Sequence, residues 1–419
     1  MNQYYLWTDY MPKGLNPDIE PDPKKFFDTL IYQQEDRWSY ITDNYQALVN
    51  SFQGLNTSFG YQFKLYREST GNNVFGVIEY VFTGSPADSA YIKRGDIFIS
   101  INNTRLNMDN YQNLLFGVES YTIGFAEVSN GEFVSNGIVK YLTAVAIQED
   151  PVFLSKVLNV GGENIGYLVY LQFISNYNDE LRNVFHTFKL AGINDLILDL
   201  RYNPGGSVNT AQIMASMIAP QQDVSGDKVF AKYLWNKNVG NQILKDEGAD
   251  SPNLILKFLS AEMTNNLNLS RVYILTTGNT ASASELVING LKPYMEVVTV
   301  GSTTVGKYTA SVTFHDQAKS YNWAIQPIVV KLANADDQSD YKNGFEPDYA
   351  VQDDYSASLG SLYEDVLAKT ISVITGIPVD QLARKAPESS ILQNSIPLYS
   401  ATTRPIVYKQ NMYIDSFPN

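Results

Sequence analysis

Between residues 152 and 351 short apolar runs alternate with amphipathic stretches, and that alternation is the pattern of an α/β domain. Segments 165–173, 196–200, 271–277, 297–300 and 324–332 read as strands, and 179–190 and 208–218 as helices. The stretch 220–270 breaks the rhythm and reads as an excursion with its own helix near 254–263. A chain of 419 residues is too long for this core alone, and the usual domain size predicts roughly two to four units.

Two other patterns flank the alternating region. Asp22 followed by Pro23 is a helix start, after which Phe26, Phe27, Leu30 and Ile31 form one apolar stripe; a second helix is expected over 45–52. These helices are too small to bury a core, so they must dock on a neighbour. From about residue 61 to 148 the text changes to short alternating strands with glycine turns. Beyond Asp353 one helix is expected over 358–375, followed by a polar tail with little assignable pattern.

Composition excludes several classes. A net charge of −14 without a block of Lys or Arg argues against nucleic acid and anionic membrane as electrostatic partners. With no cysteine there is no disulfide framework, thiolate nucleophile or cysteine metal site, and two histidines supply metal chemistry thinly. No metal or cofactor is expected. The start of the chain lacks the basic-then-apolar pattern of a secretory signal.

The residues that can carry chemistry stand in three places. Thr280-Ala281-Ser282-Ala283-Ser284-Glu285 leads into the apolar run Leu286, Val287, Ile288. Ser282-x-x-Glu285 is a capping box by pattern, yet a serine at a helix start also sits among unsatisfied N–H groups that can hold an oxyanion. Lys307 follows 25 residues on (307 − 282) and is the only charged residue between Ser302 and Phe314. To act as a base its amine must fall from about 10.4 to about 7 or 8 through burial. Strand alternation puts Thr309, Ser311 and Thr313 on the lysine's face, where Ser311 could hold the amine. The third place is Asn203-Pro204-Gly205-Gly206-Ser207, where a strand ends, two glycines expose backbone N–H groups, and a helix begins.

Two resemblances follow from these motifs. Gly84-Ser85-Pro86-Ala87, the Arg94-Gly95-Asp96 turn and the Ile99-Ser100-Ile101-Asn102 strand resemble a PDZ domain, a module that binds extended peptide ends along a sheet edge. The resemblance implies a peptide-carboxylate loop near Asn73, Val74, Phe75, Gly76 and Val77. Together the serine helix, the Gly306-Lys307 turn and the Asn-Pro-Gly-Gly turn resemble the C-terminal processing peptidases, or tail-specific proteases, and the Tyr4-Tyr5-Leu6-Trp7 region resembles their Bacteroidetes lipoprotein branch.

What the resemblance implies is a multidomain α+β protein: an N-terminal helical segment (1–57), a β-rich PDZ domain (58–148), a serine peptidase core of the α/β crotonase/Clp-protease type (149–355, excursion about 220–270), and a C-terminal helix and tail (356–419). Ser282 is then the nucleophile and Lys307 the base, with the oxyanion held by Ala283 and Gly205 or Gly206. Many members carry glutamine four residues after the lysine; Ser311 stands there in this chain. The implied partner is a polypeptide held by its C-terminal tail. The implied home is extracytoplasmic, with membrane contact only through a lipid anchor removed with the signal. Two alternatives stand beside this reading. A histidine base is disfavoured because His315 lies eight residues past Lys307, about 26 Å in extended chain at ~3.3 Å per residue. A catalytically inactive peptide-binding protein on the same scaffold is the second.

Overall fold

Alternate residues of the strands in the α/β region are apolar on both faces, which requires cover on both sides. The structure, a computed structural model described for residues 1–318, 320–382, 395–398 and 412–415, supplies it. Six strands run in the order Val152–Val160, Glu163–Tyr170, Asp195–Asp199, Arg271–Thr276, Glu296–Gly301 and Tyr349–Ala350, the first pair antiparallel and the remainder parallel. Leu168, Leu196, Leu198, Val272 and Ile274 point to one face and share a core with helices Asn178–Leu190, Val208–Ile218 and Ala283–Leu291. Their neighbours Tyr167, Val169, Ile197, Tyr273 and Leu275 point to the other, toward helix Asp365–Thr375. Truncating a fully buried leucine here, such as Leu198, costs about 2–5 kcal/mol.

The excursion is part of a second sheet and not a detour. Strands Ile255–Lys257, Val229–Trp235, Ile328–Ala333 and Thr309–Ser311 lie in that order, all antiparallel, so the strand after Lys307 is built on the excursion. The helix expected at 254–263 is instead Lys237–Glu247, started by Asn236, whose side chain accepts from the N–H groups of Asn238 and Val239. Residues 255–257 are apolar enough for either state, and pairing with Val229–Lys232 decides it. The strand expected over 324–332 is split at Pro327, whose missing N–H ends one ladder; Ala324–Gln326 joins a small sheet with Tyr40–Thr42 and Phe314–His315. The C-terminal helix begins at Asp365, later than expected.

Residues 61–143 form a separate sheet whose strands Tyr61–Arg67, Val74–Val81, Ile97–Ile101, Ser120–Ser129 and Glu132–Thr143 are neighbours in chain order. Short helices Pro86–Ser89 and Tyr111–Leu115 cover it, the first capped by Ser85, which accepts from Asp88 N–H. The chain enters and leaves through one ribbon, Leu55–Ser58 paired with Val145–Gln148. Arg94, held within its own unit by Glu79 O, fastens this unit to the α/β core by donating to Tyr202 Oη, Ala357 O and the Asp353 carboxylate.

The two N-terminal helices fall where expected, Pro23–Leu30 behind an Asp22 cap and Tyr45–Phe52 behind an Asn44 cap. The segment between them docks on the second sheet. Tyr5, fully buried, donates to Asp36, and the Asp36 carboxylate accepts from the N–H groups of Trp38 and Ser39. Arg37 reaches across to Gly306 O and Lys342 O.

Candidate active site

Ser282 sits at the N-terminus of helix Ala283–Leu291 with φ 66° and ψ −115°, a backbone that costs a non-glycine residue on the order of 1–3 kcal/mol. Its neighbours hold it there. Ser282 N–H donates to Glu285 Oε2 (2.8 Å), Ala281 N–H to Asn203 O (3.1 Å), and Leu286 N–H to Ser282 O (2.8 Å). The glutamate half of the expected capping box is therefore present. In the serine half Ser282 Oγ faces the Glu285 N–H outside normal hydrogen-bond geometry; Ser282 is fully buried, and its Oγ has no hydrogen bond of normal geometry among the described residues. A buried, unsatisfied hydroxyl on a strained turn is costly for stability, a combination that clusters at functional sites.

The turn that carries Lys307 is tied to the serine turn by the same carboxylate. Glu285 Oε2 accepts from both Ser282 N–H and Lys307 N–H (2.8 Å each), while Oε1 accepts from Gly306 N–H and Thr304 Oγ (2.6 Å each). The serine turn and the lysine turn thus share one anchor. Burial pushes the Glu285 carboxyl above its ordinary value, and the donors around it pull the other way.

The lysine side chain is fully buried, its Nζ 5.1 Å from the Trp38 ring centroid. Burial lowers its pKa to about 7, against the opposing fields of Asp36 and Glu285. Sequence neighbours alone had shown no carboxylate near this lysine; folding supplies two, and desolvation still outweighs them. The lysine precedes the short strand Thr309–Ser311 rather than lying within it. Ser311 Oγ donates to Met412 O and accepts from Gln326 Nε2 (3.0 Å each), and Gln326 Oε1 accepts from Thr313 Oγ.

The Asn-Pro-Gly-Gly turn lies against the serine. Asn203 is its keystone: its backbone O accepts from Ala281 N–H and Ser284 Oγ, Nδ2 donates to Tyr170 O, and Oδ1 accepts from Gly205 N–H (2.8 Å). Gly205 has φ 107°, and a Cβ added there would lie 2.6 Å from Ser282 Cβ and 2.9 Å from Ala283 N. Gly205 N–H being engaged, the N–H groups of Gly206 and Ala283 are the ones left pointing to no partner among the described residues. The roles of Asn203, Ser284 and Glu285 were legible only as local turn chemistry.

The remaining sequence-predicted residues lie elsewhere. Val74, Phe75, Gly76 and Val77 belong to an interior strand, with the side chains of Val74, Phe75 and Val77 buried, and Asn73 Nδ2 donates to Glu68. That strand is paired on one side with Tyr61–Arg67 and on the other with Ile97–Ile101. A groove of about 340 Å3 opens instead between Phe59–Leu65 and Leu115–Val118. His186 is exposed on its helix, and His315 stacks on Tyr45 at 4.0 Å; neither hydrogen-bonds Ser282. No cluster of His, Asp and Glu suited to a metal occurs among the described residues.

Comparison with known proteins bears on this geometry. Residues 164–351 match peptidase family S41, and residues 1–40 match the peptidase S41 N-terminal domain. The chain is 26% identical over 319 residues to the carboxy-terminal processing protease CtpA of Bacillus subtilis, covering 75% of this chain and 61% of that one. It is 24% identical over 272 residues to the carboxyl-terminal-processing protease of Synechocystis, covering 64% and 57%. The chain therefore spans about three-fifths of the length of these curated relatives. A crystal structure of an S41-type protein from Bacteroides fragilis superposes with a TM-score of 0.74 at 29% identity, covering 90% of this chain and 96% of that one. The photosystem II D1 C-terminal processing protease shares the fold, with a TM-score of 0.50 at 17% identity over 84% of this chain and 90% of that one.

Proposed function

Given that the chain belongs to peptidase family S41, we propose that it is a serine endopeptidase of the C-terminal processing type, in which Lys307 activates Ser282. The observation that carries this reading is a fully buried lysine with a pKa of about 7 whose turn shares one carboxylate oxygen with the turn of a buried, unpartnered serine.

In this mechanism the neutral amine of Lys307 takes the proton of Ser282 Oγ as the oxygen attacks a peptide carbonyl. The oxyanion is received by Gly206 N–H and Ala283 N–H, the latter at the positive end of its helix. The Lys307 ammonium then protonates the departing amine, leaving an ester on Ser282. A water molecule, deprotonated by the same amine, attacks that ester and restores both residues. Ser311 supports the base strand through Gln326, in place of the glutamine many relatives carry.

Residues 58–148 serve in this reading as a PDZ-type reader of extended polypeptide ends, with the groove beside strand Tyr61–Arg67 as the seat. We place the protein outside the cytoplasm, held at a membrane by a lipid anchor; no helix among the described residues is long and apolar enough to span a bilayer. The deciding test is labelling with a fluorophosphonate followed by peptide mapping. Modification of Ser282 in the native chain, lost in Ser282→Ala together with cleavage of a tailed peptide, is the expected result. Cleavage that persists in Ser282→Ala removes the proposed nucleophile, and a native chain neither labelled nor cleaving on tailed or tail-masked substrates leaves the inactive binder.

A further inference from the structure

Two pieces of the chain's own C-terminal region lie as added strands in the molecule, and both lie where the proposed peptidase would hold a substrate. Ile396–Pro397 pairs antiparallel with the outer edge of strand Tyr61–Arg67, Ile396 opposite Arg67 and Pro397 opposite Tyr66. Leu398 N–H donates to Leu65 O (3.0 Å), and the Leu398 side chain packs on the apolar core of that unit. This is the strand whose Phe63, Lys64 and Leu65 line the groove described above.

The second piece, residues 412–415, lies between the Gly206-Ser207 turn and the strand that follows Lys307. Tyr413 is bridged in parallel to Ser207 on one side and to Ser311 on the other. Four backbone hydrogen bonds hold it: Tyr413 N–H to Gly206 O, Val208 N–H to Tyr413 O, Ser311 N–H to Met412 O and Ile414 N–H to Ser311 O, at 3.0–3.1 Å. One wall is thus the oxyanion turn and the other is the strand that follows Lys307. Since Ser311 lies after Lys307 and the pairing is parallel, Met412 is the end of the piece nearer the dyad. Its side chain is fully buried in the core that also contains Val208, Ala310 and Val312, and Tyr413 stacks on Phe52 with ring centroids 4.2 Å apart. Asp415 is clamped by Ser175 Oγ and Ser207 Oγ (2.7 Å each) and by Asn209 N–H (3.2 Å).

A strand hydrogen-bonded along both edges, between the turn that receives an oxyanion and the strand that carries the base, has the posture of a bound polypeptide. We infer that segments 395–398 and 412–415 act as an intramolecular competitor, filling the docking edge and the catalytic cleft so that substrate must displace them. The same seats define the ligand they accept: an extended segment with an apolar residue at the Met412 position, an aromatic residue next to it and a carboxylate three residues on. This inference rests on the peptidase reading of Ser282 and Lys307.

Full-length Asp415→Ala removes three hydrogen bonds without touching the core, and Tyr413→Pro removes the N–H given to Gly206. The rate of Ser282 modification by a fluorophosphonate is expected to rise about tenfold in Asp415→Ala, as the open fraction of the cleft grows, and further in Tyr413→Pro. A synthetic peptide carrying the Met-Tyr-Ile-Asp sequence should return the Asp415→Ala rate toward that of the unaltered chain. Thermal unfolding of both variants identifies any that is merely misfolded; Asp415→Ala alone suffices if Tyr413→Pro fails. A native chain labelled as fast as a folded Asp415→Ala overturns the competitor while leaving the peptidase intact. Absence of labelling in every form, with or without the peptide, overturns both.

Discussion

At the scale of single residues, the site places stability and reactivity in opposition. A lysine brought from about 10.4 in the unfolded chain to about 7 in the folded one is protonated only in the unfolded state between those values, so the deficit it imposes on folding is full at and below pH 7 and fades as pH rises toward 10.4. Lys307→Met should therefore abolish cleavage yet raise stability by roughly 1–2 kcal/mol near pH 7, read as an increased midpoint in thermal or urea unfolding. In the proposed mechanism the active form is the free amine, so kcat/KM should fall about tenfold per pH unit below about 7 and level off above it. A profile flat down to pH 5 would mean that another base serves the serine. Glu285 is the third residue of consequence. Glu285→Gln turns an NH2 group toward two of the four donors, and a loss of at least about a hundredfold in kcat/KM with about 2–4 kcal/mol of stability is expected; unaltered kinetics would show that the two turns need no common anchor.

At the scale of elements, local chemistry was legible wherever a cap or a turn announced itself. Asp22-Pro23 started the first helix and the second ran over 45–52 as expected, and the serine and lysine motifs sat on adjoining turns. Less was legible where an element depends on distant chain. The excursion's helix was misplaced because 255–257 looks equally apolar in either state until Val229–Lys232 pairs with it. Glu285 looked like a cap because nothing within the helix reports that the turn around residue 306 will close on it. Asp36 and Trp38 gave no signal at all, and the strand at 412–415 lay in a tail without pattern. The Asn-Pro-Gly-Gly turn offers a sharp test. In Gly205→Ala the new methyl meets Ser282 Cβ and Ala283 N on a backbone with φ 107°, and a loss of at least about a hundredfold in kcat is expected, with KM little changed. Activity near that of the unaltered chain would exclude this turn from the oxyanion site.

At the scale of the whole molecule, the joint between the 61–143 unit and the α/β core holds a buried ionic network beside its apolar contacts. Asp353 receives Arg94 (2.5 Å) and Arg201 (3.4 Å), and Arg201 also pairs with Asp199 and Glu364, all of them buried. Burial acts against the charge on Asp353, and the two guanidiniums hold its carboxyl below the usual range. Arg94→Ala leaves that carboxylate with one cation and the two units with fewer ties. A destabilisation of about 3–5 kcal/mol, or separate unfolding transitions for the two units in calorimetry, is expected; a single unshifted transition would mean that the apolar contacts alone join them.

The cover over Lys307 has a consequence in time. Trp38 stands over the amine and Arg37 grips Gly306 from a position 269 residues earlier in the chain. During synthesis the roof is made long before the group it shelters, and the two meet only when nearly the whole α/β region has left the ribosome. Until then Lys307 is an ordinary hydrated cation, and the proposed base does not yet exist in the nascent chain.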